Sequence, residues 1–347
     1  MRHSRGSLRK PHIAIALLLI PTGLAILAPG PLEAAVAFFN RRFDLALPAP
    51  PWWVGIGLVV VGVGIFVFGE SRAASKKPLV LIHHHSLPGV RPAMAEKELP
   101  WRLRRHQLTK IECDQTPFMA PPQALDAAVR IQQSRFQSLT ALSQVVPDLA
   151  IAYYGIAHVP LLFLAGADLS TGSKVALFEL NRYTNTWREL SRSGRNGLNA
   201  SSRILHQPTT ARSTAIRVCV SYEVTPHDVA PTIDASSEDI RVGIPEPRLD
   251  SVTSYRQIEE FCRVFRSALD DTAKRYDRDH VVNIFYAGPA SLAFSLGRQI
   301  SKTTHPRVVV YNYEANAGYP WGLVVNGAQE PARMVVRPGK GRVQQHV

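Results

Sequence analysis

The sequence predicts an α/β body made of two fused Rossmann-like halves, preceded by an α-helical transmembrane hairpin. Three observations predict this class. Two long apolar segments are confined to the first 70 residues, amphipathic stretches alternate with short apolar runs through the rest, and one strand-turn-helix-strand pattern occurs twice.

The hairpin comes first. From Ile13 to Leu27 nearly every residue is apolar, and past the breakers Pro29, Gly30 and Pro31 the run Leu32 to Phe39 continues with only Glu33 charged, so residues 12–39 are read as one span. Residues 52–69, WWVGIGLVVVGVGIFVFG, are the second, without a charge and close to the ~20 residues that cross a bilayer. Trp52 and Trp53 stand at one end, where amphipathic rings favour the headgroup level. Arg2, Arg5, Arg9 and Lys10 precede the first segment and Arg72, Lys76 and Lys77 follow the second, against Arg41 and Arg42 between them. That bias puts both termini and the body in the cytoplasm. A cleaved signal peptide ending near Ala34-Ala35 is the alternative for the first segment, and it leaves the second as a lone span. Gly55, Gly62 and Gly69 recur every seven residues, as do Gly57 and Gly64. Small residues on one helix side admit a neighbouring helix, from the hairpin or from another protomer.

Charge narrows the partners. The chain has 40 Lys and Arg against 27 Asp and Glu, a formal +13. Residues 1–77 hold nine of those bases and three of the acids, so the body keeps 31 against 24. Much of the positive charge therefore flanks the membrane segments. No basic run interleaved with aromatics marks a long nucleic-acid face, and a small anionic ligand fits better. Cys113, Cys219 and Cys262 have neither disulfide nor zinc spacing.

After a polar linker, residues 71–77, the run Leu79 to Ile82 reads as a buried strand ending near His83. Alternation along a strand lets only His83 and His85 share a face, so the triplet His83-His84-His85 by itself makes no metal site, which needs a third protein ligand. His84, His85 and Ser86, just past the strand, are candidates to hydrogen-bond a phosphate; an ordinary polar strand end is the other reading. Residues 124–143 have helical periodicity and feed the strand LAIAYY ending at Gly155; residues 255–276 have it again and feed HVVNIFYAG.

The pattern repeats from there. YGIAHVPLLFLAG (154–166) leads to VALFELNRYTNTW (175–187), and YAGPASLAFSLG (286–297) leads to VVVYNYEANAGYPW (308–321). Each copy has an aromatic strand end, a turn with Gly and Pro, an apolar helix closing in Gly, another strand, and a tryptophan 12 or 13 residues after that strand begins. The leading strands match as PLVLIHHHS and AIRVCVSYEV. The halves are placed at about 78–210 and 211–327.

Ligands of open parallel sheets lie beyond the carboxyl ends of the strands, where helix N-termini favour phosphate. Gly155 and Gly288 are read as two such glycine-mouthed helix starts, Gly288 with Pro289 and Ala290 behind it. Tyr154, Tyr222, Tyr313 and Trp321 are candidates to stack on bases, and Ser221, Arg182 and Glu314, with His84, to make polar contacts. Catalysis is not expected. Ser291 sits at a strand-to-helix turn, but G-x-S-x-G is not met and no base or acid partner identifies itself.

Residues 282–325, with FYAGPASLAFSLG, RVVVYNYE and YPWGLVV, resemble the C-terminal signature of the SAVED domain, and the two-copy order over residues 78–327 resembles its fused pair of CARF-like units. With two membrane helices ahead, the chain resembles the two-transmembrane SAVED effectors of the anti-phage systems called CBASS. The resemblance implies a cyclic oligonucleotide ligand made by a cGAS-like nucleotidyltransferase, no cofactor, ligand-induced homo-oligomers, and disruption of the bacterial inner membrane by the hairpin. A membrane-tethered CARF-like sensor regulating a partner without pores is the alternative. Residues 328–347 read as a basic, disordered tail.

Overall fold

The apolar runs and the helical periodicity that follow them become strands and helices in the order expected, and the computed structural model describes residues 11–28, 30–44, 51–74, 77–89, 94, 96–119, 125–146, 148–169, 174–181, 183–194, 196–327 and 334–336. The chain divides into two units between residues 76 and 77.

The first unit holds α1 (Pro11–Leu27), α2 (Pro31–Phe43) and α3 (Trp52–Ala74). Residues 12–39, expected as one span, are two helices. Pro31 sits in the first turn of α2, behind an N-cap Gly30 at φ 111°, a backbone conformation open to glycine. What remains of the first span is a helix of 17 residues, about 25 Å long. Among the described residues, Trp52–Gly69 is the one helical segment both long and apolar enough to cross a membrane. α1 and α3 meet at their small residues: a Cβ on Gly23 would lie 2.7 Å from the Gly55 carbonyl oxygen, and one on Gly62 would lie 2.8 Å from Ile20. Gly57 and Gly64 face open space. The two heptad glycine series thus have different neighbours, and only the first closes the helix pair.

The second unit is the duplicated body. Its first half contains β1 (Pro78–His85), α4 (Trp101–Arg104), β2 (Gln107–Asp114), α5 (Leu125–Val145), β3 (Ala150–Ile156), α6 (Val159–Asp168), β4 (Val175–Asn181) and β5 (Thr186–Glu189). The sheet order is β2-β1-β3-β4-β5, parallel from β2 to β4 with β5 antiparallel at the edge. The second half contains β6 (Ser201–His206), β7 (Ser213–Cys219), α7 (Pro226–Val229), β8 (Glu238–Gly243), α8 (Tyr255–Arg275), β9 (Val281–Ala287), α9 (Ala290–Gly297), β10 (Arg307–Glu314), β11 (Gly318–Val324) and β12 (Met334–Val336). Its order is β12-β11-β10-β9-β7-β8-β6. The core β8-β7-β9-β10-β11 repeats β2-β1-β3-β4-β5 strand for strand. The half boundary lies ahead of the expected residue 210, because β6 pairs antiparallel with β8 and belongs to the second sheet.

One core joins the halves. It takes Val80, Ile82 and Tyr153 from the first sheet, Val218, Ile284 and Tyr286 from the second, and residues of α5, α6, α8 and α9. α6 and α9 cross with reciprocal contacts: a Cβ on Gly166 would come within 2.0 Å of the Phe294 carbonyl oxygen, and a Cβ on Gly297 within 2.0 Å of that of Phe163. These are the glycines that close the helix in each copy. Tyr153 stacks on Phe294 at 4.0 Å, and Phe163 meets Tyr286 edge-on at 5.5 Å, an exchange of aromatic contacts across the crossing.

Those contacts revise the alignment of the copies. Tyr286 corresponds to Tyr153, not Tyr154, because neighbouring strand residues face opposite ways, and the first turn is two residues longer. Tyr154 faces the outer side of its sheet with Leu79, Leu81 and Trp187.

Candidate functional site

The carboxyl ends of β7, β9 and β10 surround a cavity of about 500 Å³, within the range of small-ligand sites. The Ser221 amide donates to the Ala287 carbonyl at 2.8 Å, tying the end of the β7 segment to β9. This turn presents Tyr222 outward, 60% exposed, opposite Tyr313 of β10, 54% exposed. Tyr286 and Tyr319 complete four aromatic walls, with Ser221, Glu223, Asp228 and Gly288 between them. Tyr319 is held by Phe285 at 4.8 Å and Tyr313 at 5.4 Å. Tyr286 donates its hydroxyl proton to the Pro289 carbonyl at 2.7 Å. Burial drives the Tyr286 and Tyr319 hydroxyls well above the ordinary tyrosine range, so both are neutral.

The acidic wall is held from behind. Arg241 grips Glu223 through two hydrogen bonds of 2.7 and 2.6 Å and holds its carboxyl below the usual range. Arg217, 1% exposed, sits deeper on Asp239 at 2.8 and 2.9 Å and donates to the Val224 carbonyl. Asp228 forms a capping box with Thr225 at the start of α7. The described lining residues include carboxylates and tyrosines but no Lys or Arg. Such a cavity suits a base, with rings to stack on and carboxylates to accept from an exocyclic amine; it is not itself a phosphate cradle.

Among the described residues, the matching level of the first half is filled by polar side chains. His84, 0% exposed, accepts from the Tyr153 hydroxyl at 2.7 Å and donates to Gln115 Oε1 at 2.7 Å. Gln115 donates onward to the Ala128 carbonyl and to Gln132, which donates to the Leu161 carbonyl. The donors fix the neutral imidazole, and burial lowers its pKa to about 4. His84 is therefore a core histidine. Tyr154, expected to stack on a base, is buried between the parallel ring of His83 at 4.6 Å and the edge of Trp187 at 4.9 Å. Gly155, read as a helix mouth, lies within β3, where a Cβ would come 2.5 Å from the His84 carbonyl; α6 starts later, behind the N-cap His158.

Three further candidates meet around that His158. Ser86, fully buried, donates to its Nδ1 at 2.6 Å and accepts from its backbone N–H at 2.8 Å. Burial lowers the His158 pKa to about 4. Its ring lies 5.8 Å from that of Trp321, whose indole donates to Glu314 at 3.0 Å. Ser86, Trp321 and Glu314 thus make a seam between the halves. Ser221, Tyr222, Gly288 and Tyr313 share the cavity. Pro289 is the N-cap of α9 and Ala290 its first residue. The expected phosphate mouth there is answered by a carboxylate, since the Ser291 amide donates to Glu179 Oε2 at 3.1 Å. Arg182 lies outside the described residues.

His85, 1% exposed, has its Nε2 3.1 Å from Asp114, and its ring lies 4.4 Å from that of His83. Glu112 joins these two histidines, the three ligand atoms lying within 4.8 Å of one another.

Sequence reasoning missed Glu223, Asp228, Tyr286 and Tyr319. Glu223 adjoins Tyr222 and Tyr319 begins YPW, so proximity to chosen residues was the available signal. Glu112 and Glu179 gave none, since strand register and inter-half contact bring them in.

Residues 133–325 match the family described as SAVED, SMODS-associated and fused to various effectors sensor domain. Among solved structures, the Acinetobacter baumannii Cap4 SAVED/CARF-domain containing receptor with the cyclic trinucleotide 3'3'3'-cAAA is 9% identical, with 88% of this chain and 75% of that chain covered at a TM-score of 0.46. The Moraxella osloensis Cap4 SAVED/CARF-domain containing receptor is 10% identical, with 88% and 74% covered at 0.42. No curated protein matches this chain.

Proposed function

This chain belongs to the SAVED family of sensor domains, and from that premise we propose that its body is the receptor for a cyclic oligonucleotide and that its N-terminal helices deliver the response at a bacterial inner membrane. The observation that carries the receptor reading is the tyrosine-walled cavity at the carboxyl ends of β7, β9 and β10. Tyr222 and Tyr313, more than half exposed, offer ring faces for one base of the ligand, and Glu223, kept ionised by Arg241, accepts from its amine. Family membership supports the second-messenger class, whose source is a cGAS-like nucleotidyltransferase in the resemblance drawn above.

The response runs through assembly. Ligand-bound bodies associate as homo-oligomers and concentrate their helices, which multiplies weak contacts without new chemistry. The Gly57 and Gly64 side of α3, with nothing within 4 Å of a Cβ there, is available to a neighbouring protomer. α1 and α3 then perturb the bilayer as a hairpin. Ser291 is given no part in this reading; its hydroxyl is buried and has no hydrogen-bond partner.

One observation favours a second reading, a membrane-tethered sensor that regulates a partner. Trp52–Gly69 alone among the described segments meets the length of a span, and one span suffices for an anchor. Full-length protein in dye-loaded liposomes, challenged with a panel of cyclic di-, tri- and tetranucleotides, separates the two. Dye release by one ligand supports the disruptor; binding and oligomerisation with the dye retained leave the anchor.

A further inference from the structure

Strand register brings together four side chains that sequence spacing keeps apart. β1 and β2 run parallel with His83 opposite Glu112 and His85 opposite Asp114. Residues two apart on a strand share a face, so all four project to one side, away from the His84 network. The ligand atoms of His83, His85 and Glu112 lie within 4.8 Å of one another. Donors around a tetrahedral zinc stand about 3.4 Å apart, a contraction that small side-chain rotations supply.

His85 is the second observation. It is 1% exposed, and neither ring nitrogen makes a hydrogen bond; its Nε2 is close to Asp114, at 3.1 Å, but without hydrogen-bond alignment. A buried imidazole left in this state calls for a partner. Asp114 is itself held by the Thr116 amide at 2.9 Å. His83 is fixed from the other side by the stacked Tyr154 ring.

We propose that His83, His85 and Glu112 bind a divalent transition metal, zinc by preference, with Asp114 as a positioning residue. Two imidazoles and one carboxylate select zinc and its neighbours over magnesium or calcium. On a small rotation of its ring, His85 would donate its Nε2–H to the nearby Asp114 carboxylate and leave Nδ1 for the ion, the usual carboxylate–histidine–metal arrangement. Glu112 is exposed, so the ion enters from solvent and keeps a fourth position for water or an anionic oxygen. The site belongs to the first sheet and does not rest on the ligand assigned to the second.

The test uses full-length protein in detergent, stripped with chelator and titrated with CoCl2, followed by the visible absorption of four-coordinate Co²⁺ and by ZnCl2 displacement. One equivalent should bind, and saturating Zn²⁺ should raise the melting temperature by roughly 5 to 10 °C at a hundredfold excess over Kd. Glu112→Gln, at an exposed position that leaves the fold intact by circular dichroism, should weaken Co²⁺ binding a hundredfold or more. Asp114→Asn should weaken it about 10- to 100-fold, and His206→Gln, at an exposed histidine outside the cluster, should leave it unchanged. Absence of the Co²⁺ spectrum at millimolar metal, or wild-type affinity in both Glu112→Gln and His83→Gln, overturns the proposal.

Discussion

The two halves of the body repeat one strand and helix order, yet their carboxyl-end mouths are opposites. In the first, His84, Gln115 and Gln132 fill the space behind β1 and β3 with an internally satisfied polar network. In the second, the equivalent level behind β7 and β9 is apolar, and the turns beyond it open into a cavity with exposed Tyr222 and Tyr313. A duplicated unit fixes where a site can be. Which copy is open depends on a few side chains at the strand ends.

The contrast breaks most severely where the halves join. Gly166→Ala and Gly297→Ala each place a Cβ 2.0 Å from a backbone carbonyl oxygen of the opposite helix, which no rotamer relieves. Each should cost about 3 kcal/mol or more, read as a fall in the melting temperature of the body, where the same change in an isolated helix would stabilise. Equal losses at the two positions would sharpen the symmetry; a loss at only one would break it.

Removing the filled mouth comes next. His84→Ala strands the Tyr153 hydroxyl and the Gln115 amide in a dry interior, at a cost of about 2 to 3 kcal/mol in chemical denaturation. Affinity for the cyclic oligonucleotide should stay within about twofold, because His84 is fully buried and does not line the tyrosine-walled cavity.

The seam between the halves has a pH signature. His158 has its folded pKa lowered to about 4 by burial, against 6.5 in the unfolded chain. Between those values the unfolded chain binds a proton that the folded one excludes, so stability falls as pH drops from about 6.5 to about 4 and is flat above. The loss is roughly 2 kcal/mol after allowance for the partial exposure of the ring. His84, displaced the same way, adds to the slope. Denaturation midpoints at pH 7 and pH 5 should converge in His158→Gln relative to wild type. The smallest effect is at the open mouth: Glu223→Gln should weaken binding of an amino-bearing base by about 1 kcal/mol, roughly fivefold, in calorimetry.

Much of this architecture was legible in the sequence. The period of residues 124–143 and 255–276 marked the long helices, and glycines 166 and 297 marked the repeat. What escaped was set by register and by contact between distant segments. Tyr153 and Tyr154 are neighbours in sequence but lie on opposite faces, so the alignment of the copies turned on two inserted residues before His158. Gly155 reads as a turn glycine but is a strand residue against the His84 carbonyl. β6 carries no signal of which sheet it joins. Glu179 reaches the start of α9 across the halves, which no local pattern encodes. In the first unit, Gly30 and Pro31 ended a helix that hydropathy alone had carried to Phe39. The four sequence candidates that line the cavity, Ser221, Tyr222, Gly288 and Tyr313, are those at strand ends, whose positions chain geometry alone indicates.

The central claim is that the open half binds the ligand and the filled half does not. Calorimetric titration of cyclic oligonucleotides against wild type, Tyr222→Ala/Tyr313→Ala and His84→Ala tests it directly. Stacking lost at two rings, at about 1 to 3 kcal/mol each, should weaken binding at least 25-fold in the tyrosine double variant and leave His84→Ala near wild type. Unchanged affinity in the double variant, with binding lost in a folded His84→Ala protein, would contradict the account.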